Sequence, residues 1–185
     1  MIEVELKYRL DDPESLLAAL VARGASPGSE STERDLYFNH PARDFASTDE
    51  ALRLRWDGKQ ATVTYKGPLL DRVSKSREEL EFDLEGEAAL ETARQILSRL
   101  GFREVREVEK RRRKFPLIHA GQPLLVTIDD VTGVGLFAEL EASAEESEYV
   151  TVRDRLLGFA GLLALTRAER RSYLQLLMEQ ADAGG

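Results

Sequence analysis

Strict alternation of ionised and apolar residues at the start of the chain is the feature that most constrains the fold. In Ile2–Leu10 the apolar side chains occupy the even positions, whereas Glu3, Glu5, Lys7 and Arg9 occupy the odd ones. A repeat of two residues is typical of a β-strand, because successive side chains point to opposite faces. One face of this strand is therefore apolar and the other is fully charged.

The same alternation returns along the chain, and the segments that carry it are mostly joined by short turns such as Asp57-Gly58. Further strands are predicted over Asp35–Asn39, Ala51–Trp56, Gln60–Lys66, Arg77–Leu84, Phe102–Phe115, Leu124–Val131 and Leu136–Ala142. Helices are predicted over Pro13–Arg23 and Glu87–Leu100, with two more between Ala144 and Ala181. Hairpin connections favour an antiparallel sheet, so the predicted fold class is α+β.

The charged faces of these strands are grouped by sign. One hairpin carries Arg53 and Arg55, whereas a later strand carries Glu139 and Glu141. Like charges that are close together on a sheet repel each other. A solvated sheet face is one interpretation. A closed barrel explains the grouping better, because its interior can gather cations around a polyanion and carboxylates around hard divalent metal ions.

Composition restricts the classes of partner. The 185 residues carry a net charge of −8, which argues against general nucleic-acid binding. Cysteine is absent from the sequence, so disulfides and thiolate metal sites are excluded. His40 and His119 are expected on the surface. The first residues do not resemble a signal peptide and no apolar run has membrane-spanning length, so we expect one cytoplasmic domain over residues 1–185 with no membrane partner.

The first strand contains the motif ExExK in Glu3–Lys7, which resembles the signature of the CYTH superfamily, the triphosphate tunnel metalloenzymes. Further segments match that family in order along the chain: Glu33–Phe38, Leu52–Arg55, Thr64–Pro68, Lys110–Arg112, Ile128–Val131, Phe137–Glu141 and Arg171–Tyr173. The resemblance is closest to class IV adenylyl cyclase-like proteins. It implies a closed tunnel of eight antiparallel strands with flanking helices.

The resemblance also implies a site. The residues implied to bind Mg²⁺ or Mn²⁺, as two ions, are Glu3, Glu5, Asp129, Glu139 and Glu141. Those implied to bind a small-molecule triphosphate are Lys7, Arg53, Arg55, Lys66, Arg77, Lys110 and Arg112. Catalysis is assigned to Lys66, Glu5 and Glu139. Structural roles are favoured for Arg9, Thr62, Thr64, Glu79, Glu81 and Lys114.

Two reactions remain open. Arg77-Glu78-Glu79 is similar to class IV cyclases, and Val73–Phe82 lacks the tyrosine that thiamine triphosphatases use there. Conversion of ATP to cyclic AMP and pyrophosphate is therefore favoured. The alternative is hydrolysis of inorganic tripolyphosphate, thiamine triphosphate or a nucleoside triphosphate. A non-catalytic triphosphate sensor and an unrelated interaction module are hypotheses from other classes.

The C-terminal segment 144–181 carries an apolar stripe through Leu156, Leu157, Phe159, Leu162 and Leu163. We expect this stripe to pack on the exterior of the barrel. A lid and a dimer contact are the alternatives, and a homodimer is possible because two-fold dimers are the commonest oligomers.

Overall fold

The structure is a computed structural model that describes residues 2–26, 28–70 and 73–183, without the side chain of Asp182. Its strands are β1 (Ile2–Arg9), β2 (Glu30–Asn39), β3 (Ala51–Trp56), β4 (Ala61–Lys66), β5 (Arg77–Leu84), β6 (Arg103–His119), β7 (Gln122–Val131) and β8 (Gly135–Ala144). Its helices are α1 (Pro13–Val21), α2 (Phe45–Thr48), α3 (Gly86–Arg99), α4 (Tyr149–Leu162) and α5 (Tyr173–Ala183).

The eight strands form a closed antiparallel barrel in the order β1-β5-β4-β3-β2-β6-β7-β8. This confirms the predicted fold class. The pairing between β1 and β5 is the shortest in the described part of the barrel, with Ile2 opposite Glu78 and Glu3 opposite Arg77. We call this contact the seam. Beyond these pairs, the amide of Lys75 donates to the carbonyl of Glu5 at 3.0 Å and continues the same register.

Four strands, β2, β6, β7 and β8, extend beyond their predicted bounds, and the largest extensions are at the start of β2 and at the end of β6. β2 begins at Glu30 rather than Asp35, and β6 continues to His119 rather than ending at Phe115. The added part of β2 places Glu33 inside the barrel, where it is fully buried. Alternation of apolar residues cannot identify this part of the strand, because its buried face is charged. The added part of β6 forms a tight hairpin through Ala120 and Gly121, whose φ angles are 50° and 78°.

The apolar faces of β1 and β8 form the outside of the barrel wall, and helices α1 and α4 cover them. Leu16 and Leu20 of α1 and Leu156 and Phe159 of α4 belong to this core, and each is at most 3% exposed. Burial of this outer layer lets the opposite faces of the strands remain charged. Leu156, Phe159 and Leu163 of the predicted stripe therefore pack on the exterior of the barrel, whereas Leu157 and Leu162 are 37% and 55% exposed.

Helix α5 has a different position. Its residues Tyr173, Leu176 and Leu177 pack against Val131 and Phe137, whose side chains lie inside the barrel. The aromatic rings of Phe137 and Tyr173 meet edge to face, with centroids 5.0 Å apart. Helix α5 therefore closes one end of the barrel interior with an apolar plug.

Both histidines are half-buried, which corrects the expectation that they lie on the surface. The ring of His40 packs edge-on against Phe102 with centroids 5.2 Å apart, and the ring of His119 lies 4.4 Å from that of Phe159. Aromatic stacking removes them from solvent. Among the described residues, no helix combines the length and the apolar character needed to cross a bilayer.

Candidate functional site

The barrel encloses a cavity of about 600 Å³. Its wall includes every predicted site residue except Asp129: Glu3, Glu5, Lys7, Arg53, Arg55, Lys66, Arg77, Lys110, Arg112, Glu139 and Glu141. These side chains point inward because they occupy alternate positions on strands whose other face packs outward. The geometry therefore brings the grouped charges of the sequence together around one space.

A cationic group lies on the β2, β3 and β6 side of the cavity. The ammonium of Lys110 lies 2.6 Å from Oδ2 of Asp35 and 3.0 Å from Oε2 of Glu33. Arg55 donates from Nε and Nη2 to the two oxygens of Asp35 at 2.6 and 2.8 Å. These contacts hold the pKa of Asp35 well below its usual value, although burial acts in the opposite direction. Both cations are thus held in place by buried carboxylates.

Arg53 is held more loosely than its neighbours. Its Nη2 donates to Oγ1 of Thr64 at 3.0 Å, but its guanidinium is 3.7 Å from the nearest oxygens of Asp35 and of Glu81. Its buried Nε has no hydrogen-bond acceptor in the described part of the chain. A buried donor without an acceptor costs free energy, and a phosphate oxygen would satisfy it.

Arg112 links the cationic side of the cavity to the acidic side. It donates from Nε and Nη2 to the two oxygens of Asp129 at 2.7 and 2.6 Å, and it also pairs with Glu139. The hydroxyl of Tyr173 donates to Asp129 at 2.8 Å. Asp129 is fully buried behind Arg112, so in this geometry it orients the guanidinium rather than facing the cavity.

Four carboxylates face the cavity from β1 and β8: Glu3, Glu5, Glu139 and Glu141. Burial raises the pKa of Glu3 to about 7 and raises that of Glu141 well above its usual value. Burial acts in the same sense on Glu139, but Arg112 brings the pKa of Glu139 down to about 2. On the acidic side, the neighbouring cations therefore stabilise the ionised form of some carboxylates but not of all.

Lys7 and Lys66 lie beside these carboxylates. The ammonium of Lys7 is 3.8 Å from Glu139 and 4.1 Å from the centre of the Tyr173 ring. Lys66 forms a short ion pair with Glu79 and lies 3.8 Å from Glu3. Arg77 stands nearer the rim, where its guanidinium donates to the backbone carbonyl of Asp49 at 3.0 Å.

The chemistry of this donor set fits Mg²⁺ or Mn²⁺, which prefer carboxylate oxygens. Within residues 2–26, 28–70 and 73–183, however, no three side chains of the metal-ligating types are already arranged around one point. The carboxylates are instead held apart by the protein's own cations. Lys75 holds Glu5 at 3.0 Å, and Arg112 holds Glu139 and lies 3.6 Å from Glu141.

The structure adds residues that the sequence interpretation did not place in the site. Glu33 and Asp35 lie on β2 and anchor Arg55 of β3 and Lys110 of β6, and Lys75 contacts Glu5. Alternation along β5 could have revealed Lys75, because it lies two residues before the inward-facing Arg77. Glu169, which precedes α5, is not part of the cavity wall, but it holds Arg9 and Arg171 at 3.1 and 2.5 Å.

A model of the CYTH domain matches residues 1–173. The chain belongs to the CYTH family. It is 39% identical over 179 residues to a candidate adenylate cyclase of Methanocaldococcus jannaschii, with 95% of this chain and 98% of that protein covered. It is 32% identical over 186 residues to adenylate cyclase CyaB of Aeromonas hydrophila, with 97% and 90% covered.

Solved CYTH-like structures agree with the barrel. The PH1819 protein of Pyrococcus horikoshii superimposes with a TM-score of 0.84 at 34% identity, covering 96% of this chain and 99% of that one. The match extends over nearly the full length of both chains, so it includes the helices as well as the strands. This protein therefore shares its fold with PH1819 over nearly the whole length of both chains.

Proposed function

We propose that this CYTH protein is a metal-dependent enzyme that acts on a triphosphate in the tunnel, with conversion of ATP to cyclic AMP and pyrophosphate as its reaction. The observation that carries the proposal is the convergence of Arg53, Arg55, Lys110 and Arg112 on one buried cavity. A packed interior has no need of four buried cations, because each charge that is removed from water costs free energy. A polyanion is the ligand that such a group recognises.

The proposed roles follow from position. Arg55 and Lys110 are fixed by Asp35 and Glu33, so they present charge without reorganising when the triphosphate arrives. Arg53 offers a free Nε donor to a phosphate oxygen. Lys66, beside the carboxylates, orients the phosphoryl group that reacts. Helix α5 closes one end and limits the entry of water.

Glu3, Glu5, Glu139 and Glu141 would hold Mg²⁺ or Mn²⁺, as one or two ions. Bound there, the metal neutralises negative charge that develops on the phosphate oxygens. Asp129 supports this side indirectly, because it fixes Arg112 against Glu139. The raised pKa values of Glu3 and Glu141 support the assignment, since a divalent cation would stabilise their ionised forms.

ATP is proposed on two grounds. Both curated relatives above 30% identity carry the name adenylate cyclase, one of them as a candidate. The cavity volume of about 600 Å³ is also within the usual range for a small-molecule ligand pocket of about 300–1,000 Å³. In the cyclase reaction the ribose 3′-hydroxyl loses its proton and its oxygen bonds to the α-phosphorus. The bond between the α-phosphorus and the oxygen that bridges to the β-phosphorus breaks, and pyrophosphate leaves with that electron pair.

Hydrolysis of a triphosphate is the second candidate. The groups described above recognise phosphate and metal, and they would hold tripolyphosphate or thiamine triphosphate as well as ATP. In that reaction a water molecule loses a proton and its oxygen bonds to the terminal phosphorus. The bond from that phosphorus to its bridging oxygen breaks, the diphosphate leaves with the electron pair, and orthophosphate is the second product. The two reactions therefore differ in the nucleophile and in the bond that breaks, rather than in the charges that hold the substrate.

Phosphorus NMR separates the two candidates. The purified protein is mixed with Mg²⁺ or Mn²⁺ and given ATP or tripolyphosphate in parallel samples. Cyclic AMP with pyrophosphate from ATP supports the cyclase, and orthophosphate from either substrate supports hydrolysis. Glu5→Gln should sharply reduce metal-dependent turnover, with the exposed Glu14→Gln as its control. Absence of product from both substrates at every metal concentration would contradict the proposal and favour a triphosphate sensor.

A further inference from the structure

Lys75 lies opposite Glu5 across the seam between β1 and β5. Its amide donates to the carbonyl of Glu5 at 3.0 Å, and its ammonium donates to Oε1 of the same residue at 3.0 Å. Lys75 is 7% exposed, and its neighbours Ser74 and Ser76 are 2% and 0% exposed. The contact is therefore part of the barrel wall and differs from a solvated surface ion pair.

A second lysine lines the same part of the cavity. Lys7 lies two residues from Glu5 on β1, and its ammonium is 3.8 Å from Glu139. Both ammoniums share the field of Glu5 and Glu139. Two like charges side by side in a buried space repel each other strongly, because little solvent screens them. A single divalent ion would supply the same positive charge to these carboxylates without that repulsion.

We propose that the Lys75 ammonium occupies the Glu5 side of the metal site in the ion-free tunnel, and that a divalent cation binds by displacing it. The inference rests on the proposed function, because it takes Glu5 as a metal ligand. The lysine side chain has a flexible four-carbon stem, so its ammonium can rotate into the cavity while the backbone bond to Glu5 stays in place. Lys75 therefore competes with the metal and lowers its affinity.

Metal affinity without triphosphate tests the competition directly. Mn²⁺ binding is measured by electron paramagnetic resonance for the wild-type protein, for Lys75→Met and for Lys59→Met. Methionine keeps an unbranched side chain and the backbone hydrogen bond but lacks the charged ammonium. Lys75→Met should bind Mn²⁺ about tenfold more tightly, which corresponds to about 1.4 kcal/mol. Lys59 is exposed in the β3–β4 turn, so its variant should match the wild type.

A second measurement uses the wild-type protein and does not depend on how a variant folds. Acetic anhydride modifies amines that are free and accessible, and mass spectrometry reports the acetylation of Lys75 with and without Mn²⁺. The ion should accelerate the modification of Lys75 and leave that of Lys59 unchanged. Unchanged or slower acetylation of Lys75 would overturn the displacement.

The outcomes also separate this inference from the proposed function. If Mn²⁺ binds the wild type and Lys75→Met with equal affinity, the displacement is contradicted, but the proposed metal site is not. Failure of all three proteins to bind Mn²⁺, with or without tripolyphosphate, overturns the metal site and the inference together. Glu5→Gln, which should weaken binding, identifies the carboxylate that the ion occupies.

Discussion

Arg112 and Asp129 form a bidentate ion pair inside the tunnel wall, with Nε and Nη2 donating at 2.7 and 2.6 Å. The carboxylate is fully buried and also accepts a hydrogen bond from the hydroxyl of Tyr173. A guanidinium held in this way presents its remaining donor edge toward Glu139 and the cavity. The pair therefore connects the fold of β6 and β7 to the orientation of a proposed triphosphate ligand.

Asp129→Asn should lower both stability and triphosphate affinity, because it leaves Arg112 with one fewer buried negative partner. We expect a loss of about 3 kcal/mol in the free energy of unfolding. For a domain of this size that loss lowers the melting temperature by roughly 6–12 °C. Calorimetry measures the change. Asp130→Asn, on the outward-facing neighbour, should stay within about 0.5 kcal/mol of the wild type; equal effects of the two variants would contradict the role of Asp129.

Glu169 should contribute stability that acid removes. Hydrogen bonds from Arg171 lower the pKa of Glu169 to about 2 in the folded protein, and its usual value is 4.5. Its contribution is therefore present above pH 4.5 and is lost as the pH falls towards 2. With solvent screening, Glu169→Gln should cost about 1–2 kcal/mol at pH 6 and less at pH 3.5.

Urea unfolding at several pH values measures this difference. Glu179→Gln is the matched control, because Glu179 pairs with the same Arg171 but is 54% exposed. Its effect should be small at every pH. A constant difference between wild type and Glu169→Gln from pH 6 to pH 3.5 would show that the ionised carboxylate is not the stabilising form.

Leu176→Ala should loosen the plug at the end of the barrel. Leu176 is 3% exposed and packs with Phe137 and Tyr173, so its truncation leaves a cavity. We expect a loss of about 2–4 kcal/mol in the free energy of unfolding. Hydrogen exchange of amides in α5 should accelerate as well. Met178→Ala on the exposed side of the same helix should have little effect; a similar loss for both variants would mean that α5 does not pack into the barrel.

The sequence predicted the barrel well where one face of a strand is apolar. Alternation in β1 correctly predicted which of its residues face inward, and Glu5 lies in the cavity. Arg55 of β3 lies in the same cavity, as predicted from the grouping of charges. It failed for the first half of β2, because Ser31, Thr32 and Glu33 offer no apolar face. It also failed for Lys75, which continues the inward face of β5 from a segment interpreted as a loop.

The surface against which α5 packs could not be predicted from the sequence either. Its apolar residues predict burial against some surface, but the surface inside the barrel and the surface outside it satisfy the same pattern. Tyr173 settles the choice in the structure, because its hydroxyl reaches the buried Asp129. The ion pairs between charged side chains in the tunnel could not be predicted either, because they depend on how far each strand is shifted relative to the next.

Titration of tripolyphosphate into the protein with Mg²⁺, followed by calorimetry, tests the central claim most directly. The wild type should bind one tripolyphosphate per chain. Arg53→Gln should bind it about 10- to 100-fold more weakly, because one charged hydrogen bond contributes about 1.5–3 kcal/mol. Arg34→Gln, on the exposed face of β2, should match the wild type. No binding by the wild type, or identical affinities for all three proteins, would contradict a triphosphate site inside the barrel.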